Sequence, residues 1–219
     1  TEQVPTMTHC EYMLYPRLLA IAENGWSHRK TNYADFHRRA LHLQDVLANR
    51  GYHPFDLRKE IGERAEKKTV LHHLAVGKKV VYHAPYASNY PASGDATLVD
   101  GKSGGWDFQD GAWQGFISAN RLDVTIDLGV VTPLRLIKAA FFQSVSADIY
   151  TPSEIDILVS DNGVEFHQLD HRQYNVDIST DFKVQTLEWR GESKARFIRY
   201  QAKSGKQNGW IFTDEICVQ

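Results

Sequence analysis

The chain is poor in the features that announce chemistry. Among its 219 residues there are only two cysteines, Cys10 and Cys217, far apart near opposite ends. That count excludes a disulfide-rich scaffold and a zinc site of Cys/His spacing. The spacing is most simply read as two separate thiols packed as small hydrophobes. His72-His73 is a bare pair with no second pair near it, which fits a surface or linker position better than a metal centre. No apolar run approaches the ~20 residues of a membrane-spanning helix. Neither sign of charge dominates: 25 basic against 27 acidic residues give a net charge of −2, so nothing electrostatic favours nucleic acid or an anionic membrane. A nucleophile elbow, a glycine-rich phosphate loop and a His-metal motif are all missing.

What is present falls into two parts with different periods. From Glu11 to Trp26 the apolar residues Leu14, Leu18, Ile21 and Ala22 recur at helical steps. Pro16 should kink or shorten this helix and Gly25 should end it. A second helix is expected from about Asn32–Asp35, with Phe36, Ala40, Leu43 and Leu47 as its apolar stripe and Gly51 after its end. Residues 56–74 are dense in charge and read as a solvated linker. From Lys79 the period becomes two. Leu122–Leu128 alternates strictly and Gly129 should end that strand. Ile155, Ile157 and Val159 alternate, and Ser160-Asp161-Asn162-Gly163 supplies hairpin chemistry. Further short strands are expected at 166–169, 183–189, 196–202 and 210–218. Strands at this spacing indicate an all-β sandwich over residues 75–219. Two helices over 1–55 cannot bury their stripes alone, so they are expected to be a hairpin docked elsewhere or the edge of a domain whose remainder lies outside the chain.

Two resemblances follow from particular residues. Pro16-Arg17, Ala20-Ile21-Ala22-Glu23 and Trp26-Ser27 resemble the last barrel helix of family 20 glycoside hydrolases, the β-N-acetylhexosaminidases. Phe36 to Gly51 resembles the helix that closes that (β/α)8 barrel. The resemblance implies that the chain is a C-terminal piece of a secreted bacterial glycosidase, located outside the cell, in the periplasm or on the cell surface. It implies that Glu2 matches a sugar-contacting glutamate, and that the catalytic Asp-Glu pair lies upstream, leaving this piece non-catalytic. The second resemblance rests on Leu98-Val-Asp100-Gly101, Trp113-Gln-Gly-Phe116, Val124–Gly129, Ser160–Gly163, Arg196–Tyr200 and Trp210–Val218. These resemble the discoidin-like (coagulation factor 5/8 C-terminal type) domains, and most of all the family 32 carbohydrate-binding modules. The implied fold is mainly β, an eight-stranded antiparallel jelly-roll β-sandwich preceded by an α-helical hairpin.

The same resemblance implies one structural Ca²⁺ between the Asp-Gly loop and the final strand. Asp100 and Glu215 match its side-chain ligands, Asp214 adjoins them, and carbonyls of Thr97 or Lys102 could complete the shell. The loop departs from the family pattern at Lys102-Ser-Gly-Gly-Trp106 and in the longer stretch Asp107–Ala112. The competing expectation is that Asp100 closes a turn and Glu215 pairs with a base such as Arg199. Sugar binding needs an aromatic face and fixed polar groups on loops. Tyr86, Tyr90, Trp106, Phe108, Lys206, Asn208 and Trp210 supply these types. Gln143 stands near the place where many such modules carry a sugar-binding arginine. Trp113 and Trp189 read as core, and Trp210 could lean inward beside Phe212. The expected partners are galactose- or N-acetylhexosamine-type glycans, the absent catalytic domain, and a second copy meeting through the exposed helices. The alternative is a structural domain that buttresses the barrel and binds no sugar.

Overall fold

The computed structural model describes residues 4, 6–26, 32–59, 70–117 and 121–219. The chain divides into two compact units, 1–65 and 66–219. In the first, α1 (Met7–Leu14) and α2 (Arg17–Trp26) are separated at Pro16, where the helix was expected to break. α2 runs past Gly25 to Trp26. α3 (Tyr33–Asn49) is capped by Asn32, whose side chain accepts from the Asp35 amide at 2.8 Å. Arg39 clamps Glu23 of α2 with two hydrogen bonds of 2.9 and 2.6 Å. Leu18, Ile21 and Trp26 stay exposed, Trp26 by 87%.

The second unit is an antiparallel β-sandwich with seven strands among the described residues, against the eight expected: β1 (Lys79–Tyr82), β2 (Gln114–Ile117), β3 (Leu122–Ser144), β4 (Pro152–Ser160), β5 (His167–Gln173), β6 (Phe182–Ser204) and β7 (Trp210–Val218). The count is lower because β3 and β6 are each 23 residues long. Gly129 does not end a strand, and segments 183–189 and 196–202 are one strand. The two pair along their whole length, with register shifts between Asp127 and Thr132 and between Leu134 and Leu136. Such bulges bend a ladder without breaking it. The first half of β3 and second half of β6 lie in a layer ordered β1-β3-β6-β4-β5. Their other halves join β7 and β2 in a second layer ordered β6-β3-β7-β2. The sandwich is thus one sheet folded over at the bulges.

Alternation decides what each strand buries. Val124, Ile126, Ile157, Val159 and Ile198 of the first layer share the main core with Ile137, Phe141, Ile211 and Ile216 of the second. On the outer side of β3, Asp123 accepts from Arg199 at 2.8 Å and Gln201 at 2.7 Å, and Asp127 accepts from Arg196 at 2.8 Å. Arg199 is therefore committed to Asp123 and is not the partner of Glu215. The turn Ser160–Gly163 behaves as its residues demand: Ser160 Oγ accepts from the Gly163 amide, and Asn162 Oδ1 accepts from Val164 and Glu165. Trp113 and Trp189 are core residues, 1% and 8% exposed. Cys217 is buried, Cys10 is half-buried, and both are free thiols.

Loop 101–112 is held down by Trp113, whose indole N–H donates to the Gly105 carbonyl at 3.1 Å. A Cβ on Gly104 would stand 2.2 Å from the Trp113 ring. Gly104→Ala is therefore expected to lower the melting temperature by about 5 °C, the scale of a small overpacking defect in a domain this size. An unchanged melting temperature would contradict this packing of the loop.

Candidate functional site

Three loops meet beside the start of β7. Tyr90, Phe108 and Trp210, all half-buried, sit on a second core cluster of Trp113, Phe142, Ile149 and Phe212. The Tyr90 ring lies edge-on to Trp210 at 5.4 Å, to Phe108 at 5.9 Å and to Phe212 at 4.9 Å. Edge-to-face contacts of this kind fix ring orientation as well as burying area. Tyr90 N also donates to the Ala87 carbonyl, and Gly115 N to the Tyr90 carbonyl, so the loop backbone is anchored to β2. An open cavity of about 370 Å³ is lined by Asn89, Tyr90, Pro91, Phe108, Gln109 and Trp113 among others. Trp210 leans onto Phe212 at 5.9 Å, as its sequence position allowed.

The polar residues of this end are arranged around Asp148. Lys206 Nζ donates to Asp148 Oδ1 at 2.8 Å and to the Tyr150 hydroxyl at 3.1 Å, and it lies 5.2 Å from the Tyr150 ring centre. The Tyr150 hydroxyl in turn donates to Asp148 at 3.0 Å. Lys206 holds the Asp148 carboxyl below its usual range, and Asp148 holds the Lys206 ammonium charged. Asn208 is exposed in the same loop with φ +65°, a conformation asparagine tolerates. Asp148 and Tyr150 went unnoticed in the sequence because nothing local marks them as facing Lys206.

The other residues expected here go elsewhere. Tyr86 donates to Asp95 and packs against Tyr82 on the main core, apart from Tyr90. Trp106 is half-buried, and neither it nor Trp210, Lys206 or Asn208 is among the residues lining the cavity, which is formed on the Tyr90 and Phe108 side of the aromatic cluster. Gln143 is fully buried. Its amide nitrogen donates to the carbonyls of Asp177 and Thr180 at 2.8 Å each, and its oxygen accepts from the Thr151 hydroxyl at 3.2 Å. A side chain so engaged pins the 174–181 loop and offers no group to a ligand. Glu2 lies outside the described residues.

The expected metal ligands gather at the far end of β7, around a bulge. Two steps of β3, from Ala139 to Phe141, face three of β7, from Thr213 to Ile216. Both faces of β7 are covered from Ile211 onward, so Asp214 and Glu215 both lie inside the protein, 3% and 2% exposed. Asp214 accepts from the amides of Gly104 and Glu215 at 2.8 and 2.7 Å. Glu215 Oε1 accepts from His73 Nε2 at 2.7 Å and from the Gly101 amide at 3.1 Å. His73 is thus buried rather than on a surface or linker, and it replaces Arg199 as the partner of Glu215.

Asp100 does close a turn: Oδ1 accepts from the Lys102 amide and Oδ2 from the Ser93 hydroxyl. The Thr97 hydroxyl is spent on the carbonyls of Pro91 and Gly94. The loop carbonyls are likewise engaged, Thr97 with Asp100 N, Gly101 with Leu71 N and Gly105 with Trp113. Lys102 stands opposite Val70 in an isolated bridge whose hydrogen bond runs from Leu71 N to the Gly101 carbonyl. Among the described residues, Glu215 Oε2 is the one buried side-chain oxygen of this set without a hydrogen-bond partner. Ca²⁺ takes six to eight oxygens, so the donor set as arranged does not fit it.

Burial pushes the Asp214 carboxyl up to about 7 from its usual 3.8, and burial also raises Glu215. An acid whose pKa rises on folding stabilises the fold while protonated. That contribution is present below about pH 4 and is lost as pH rises through about 7. Wild type should therefore lose melting temperature relative to Asp214→Asn between pH 5 and pH 8. A constant difference over that range would contradict the buried, proton-binding carboxyl.

The F5/8 type C domain profile matches residues 82–216. No curated protein sequence matches the chain. Among solved structures, the lectin domain of lectinolysin complexed with Lewis B antigen is 15% identical, with a TM-score of 0.48, covering 69% of this chain and 98% of that one. The CBM32 of AlyQ in complex with 4,5-unsaturated mannuronic acid is 15% identical, with a TM-score of 0.43, covering 68% and 96%. SpGH29 is 14% identical with a TM-score of 0.43, and the match covers 67% of this chain but spans only 27% of that longer one. With a family profile matching more than half its length, the chain belongs to the F5/8 type C domain family.

Proposed function

We propose that the chain is a non-catalytic glycan-binding module, taking a terminal galactose- or N-acetylhexosamine-type sugar weakly against Tyr90, Phe108 and Trp210. The observation that carries this reading is the aromatic wall itself. It is half-exposed and pre-ordered by edge-to-face contacts, and the Trp210 amide donates to the Asp148 carbonyl, which brings the Lys206–Asp148 pair next to Trp210. An apolar sugar face stacks on such rings while its hydroxyls meet fixed polar groups. Weak affinity is useful in a module tethered to an enzyme, because it raises local concentration. The parent in this reading is a secreted β-N-acetylhexosaminidase. It is supported by the Pro16-Arg17 to Trp26 pattern and by the uncovered apolar residues Leu18, Ile21 and Trp26, which a barrel or a second copy would bury.

One observation favours a second reading, a domain that buttresses the barrel without binding sugar. Gln143, near the place where many such modules carry a sugar-binding arginine, faces inward and is fully committed. A glycan array with the purified chain separates the two. The first reading expects binding to a defined terminal sugar, weakened by about tenfold or more in Tyr90→Ala and Trp210→Ala, the cost of losing one well-packed aromatic contact. A blank array from folded protein at high concentration leaves the buttressing domain.

A further inference from the structure

The Asp-Gly loop and the last strand must be tied together by something, because they approach each other through buried carboxylates. We infer that in this chain the segment from Val70 to Gly77, with His73 at its centre, does this in place of a bound cation. The segment makes a backbone seam on both sides. Leu71 N donates to the Gly101 carbonyl at 2.7 Å and Gly77 N to Val99 at 2.8 Å, fastening it to the loop. Leu74 N donates to the Val218 carbonyl at 2.9 Å, fastening it to β7. Val70 stands opposite Lys102 in an isolated antiparallel bridge, which continues the seam along the loop.

His73 fills the centre of this seam. Its side chain and that of Glu215 are each 1% exposed, and they meet at 2.7 Å. The ring's other nitrogen, Nδ1, faces the amides of Ala75 at 3.3 Å and Val218 at 3.4 Å, both donors. Nδ1 must therefore accept, and Nε2 must carry the proton that it gives to Glu215. The imidazole enters as a neutral ring that satisfies a buried carboxylate from one side and two strand amides from the other. It occupies the side of Glu215 facing the Asp-Gly loop, where the Gly101 amide also points at Oε1. One carboxylate oxygen is left over, short of any calcium shell. The module is held shut by its own N-terminal segment and folds independently of Ca²⁺.

The test uses the full chain. Calorimetric titration with CaCl₂ and thermal melts in chelator or millimolar Ca²⁺ should show no stoichiometric site and no shift in melting temperature. A saturable calcium site, or a melting temperature that falls in chelator, overturns the inference. His73→Ala should lower the melting temperature by roughly 10 °C, as expected for stripping the partner from a buried charge in a domain of this size. In a double-mutant cycle with Glu215→Ala, the doubly substituted chain should lose clearly less than the sum of the two single losses. Additive losses overturn the coupling. If a variant fails to fold, the wild-type titration and melts still decide the question.

Discussion

The ladder between β3 and β6 is the element on which the rest of this fold hangs. It runs for the full length of both strands and bends at two register shifts, so one continuous sheet supplies both layers of the sandwich. Every other strand attaches to one half of it or to a strand that does. The bends set which inner faces meet: Val124 and Ile126 oppose Phe141 and Ile137 from the same strand. The loops are anchored on a stiff frame, even the long connection over residues 83–113 that carries Tyr90 and Phe108, which is the condition under which loop side chains can be held in a fixed relation.

β7 shows how a single extra residue divides labour along one strand. Before its bulge, Phe212 supports the aromatic cluster while Ile211 faces the core. After it, Ile216 and Val218 return to the core, and the residues at the bulge are two acids turned inward. Both faces of β7 are covered from Ile211 onward, so neither acid reaches solvent. The cost of burying them is offset by amide donors from Gly101 and Gly104 and by His73. The glycines matter here, since Gly101 has φ +75° and a Cβ on Gly104 would meet the Trp113 ring.

Much of this was legible in the sequence, for a physical reason. Leu122–Leu128 and Ile155–Val159 alternate because one face of each packs on the main core, and both are strands, as is Trp210–Val218. Trp113 and Trp189 were readable as core from their place beside or within strands. The strand count was misread because Gly129 looks like a terminator, whereas a bulge lets the chain turn without leaving the ladder. Histidine 73 was invisible: its partner is 142 residues away, and no local period reports a tertiary hydrogen bond. Gln143 was misleading in the same way, because the carbonyls that hold it, of Asp177 and Thr180, lie on a distant loop. Aromatic residues in loops were visible as candidates, but only packing separates Tyr90, on the cluster, from Tyr86, on the main core.

The central claim is that the Tyr90–Phe108–Trp210 wall receives a sugar, and the five tryptophans report on it directly. In a ¹⁵N-labelled sample titrated with galactose, N-acetylgalactosamine and N-acetylglucosamine, the indole N–H signal of Trp210 should move progressively with at least one of them. Those of Trp113 and Trp189, buried in the core, and of Trp26, in the helical unit, should stay in place. Signals that all remain still at high sugar concentration, or movement confined to Trp26, would contradict the account.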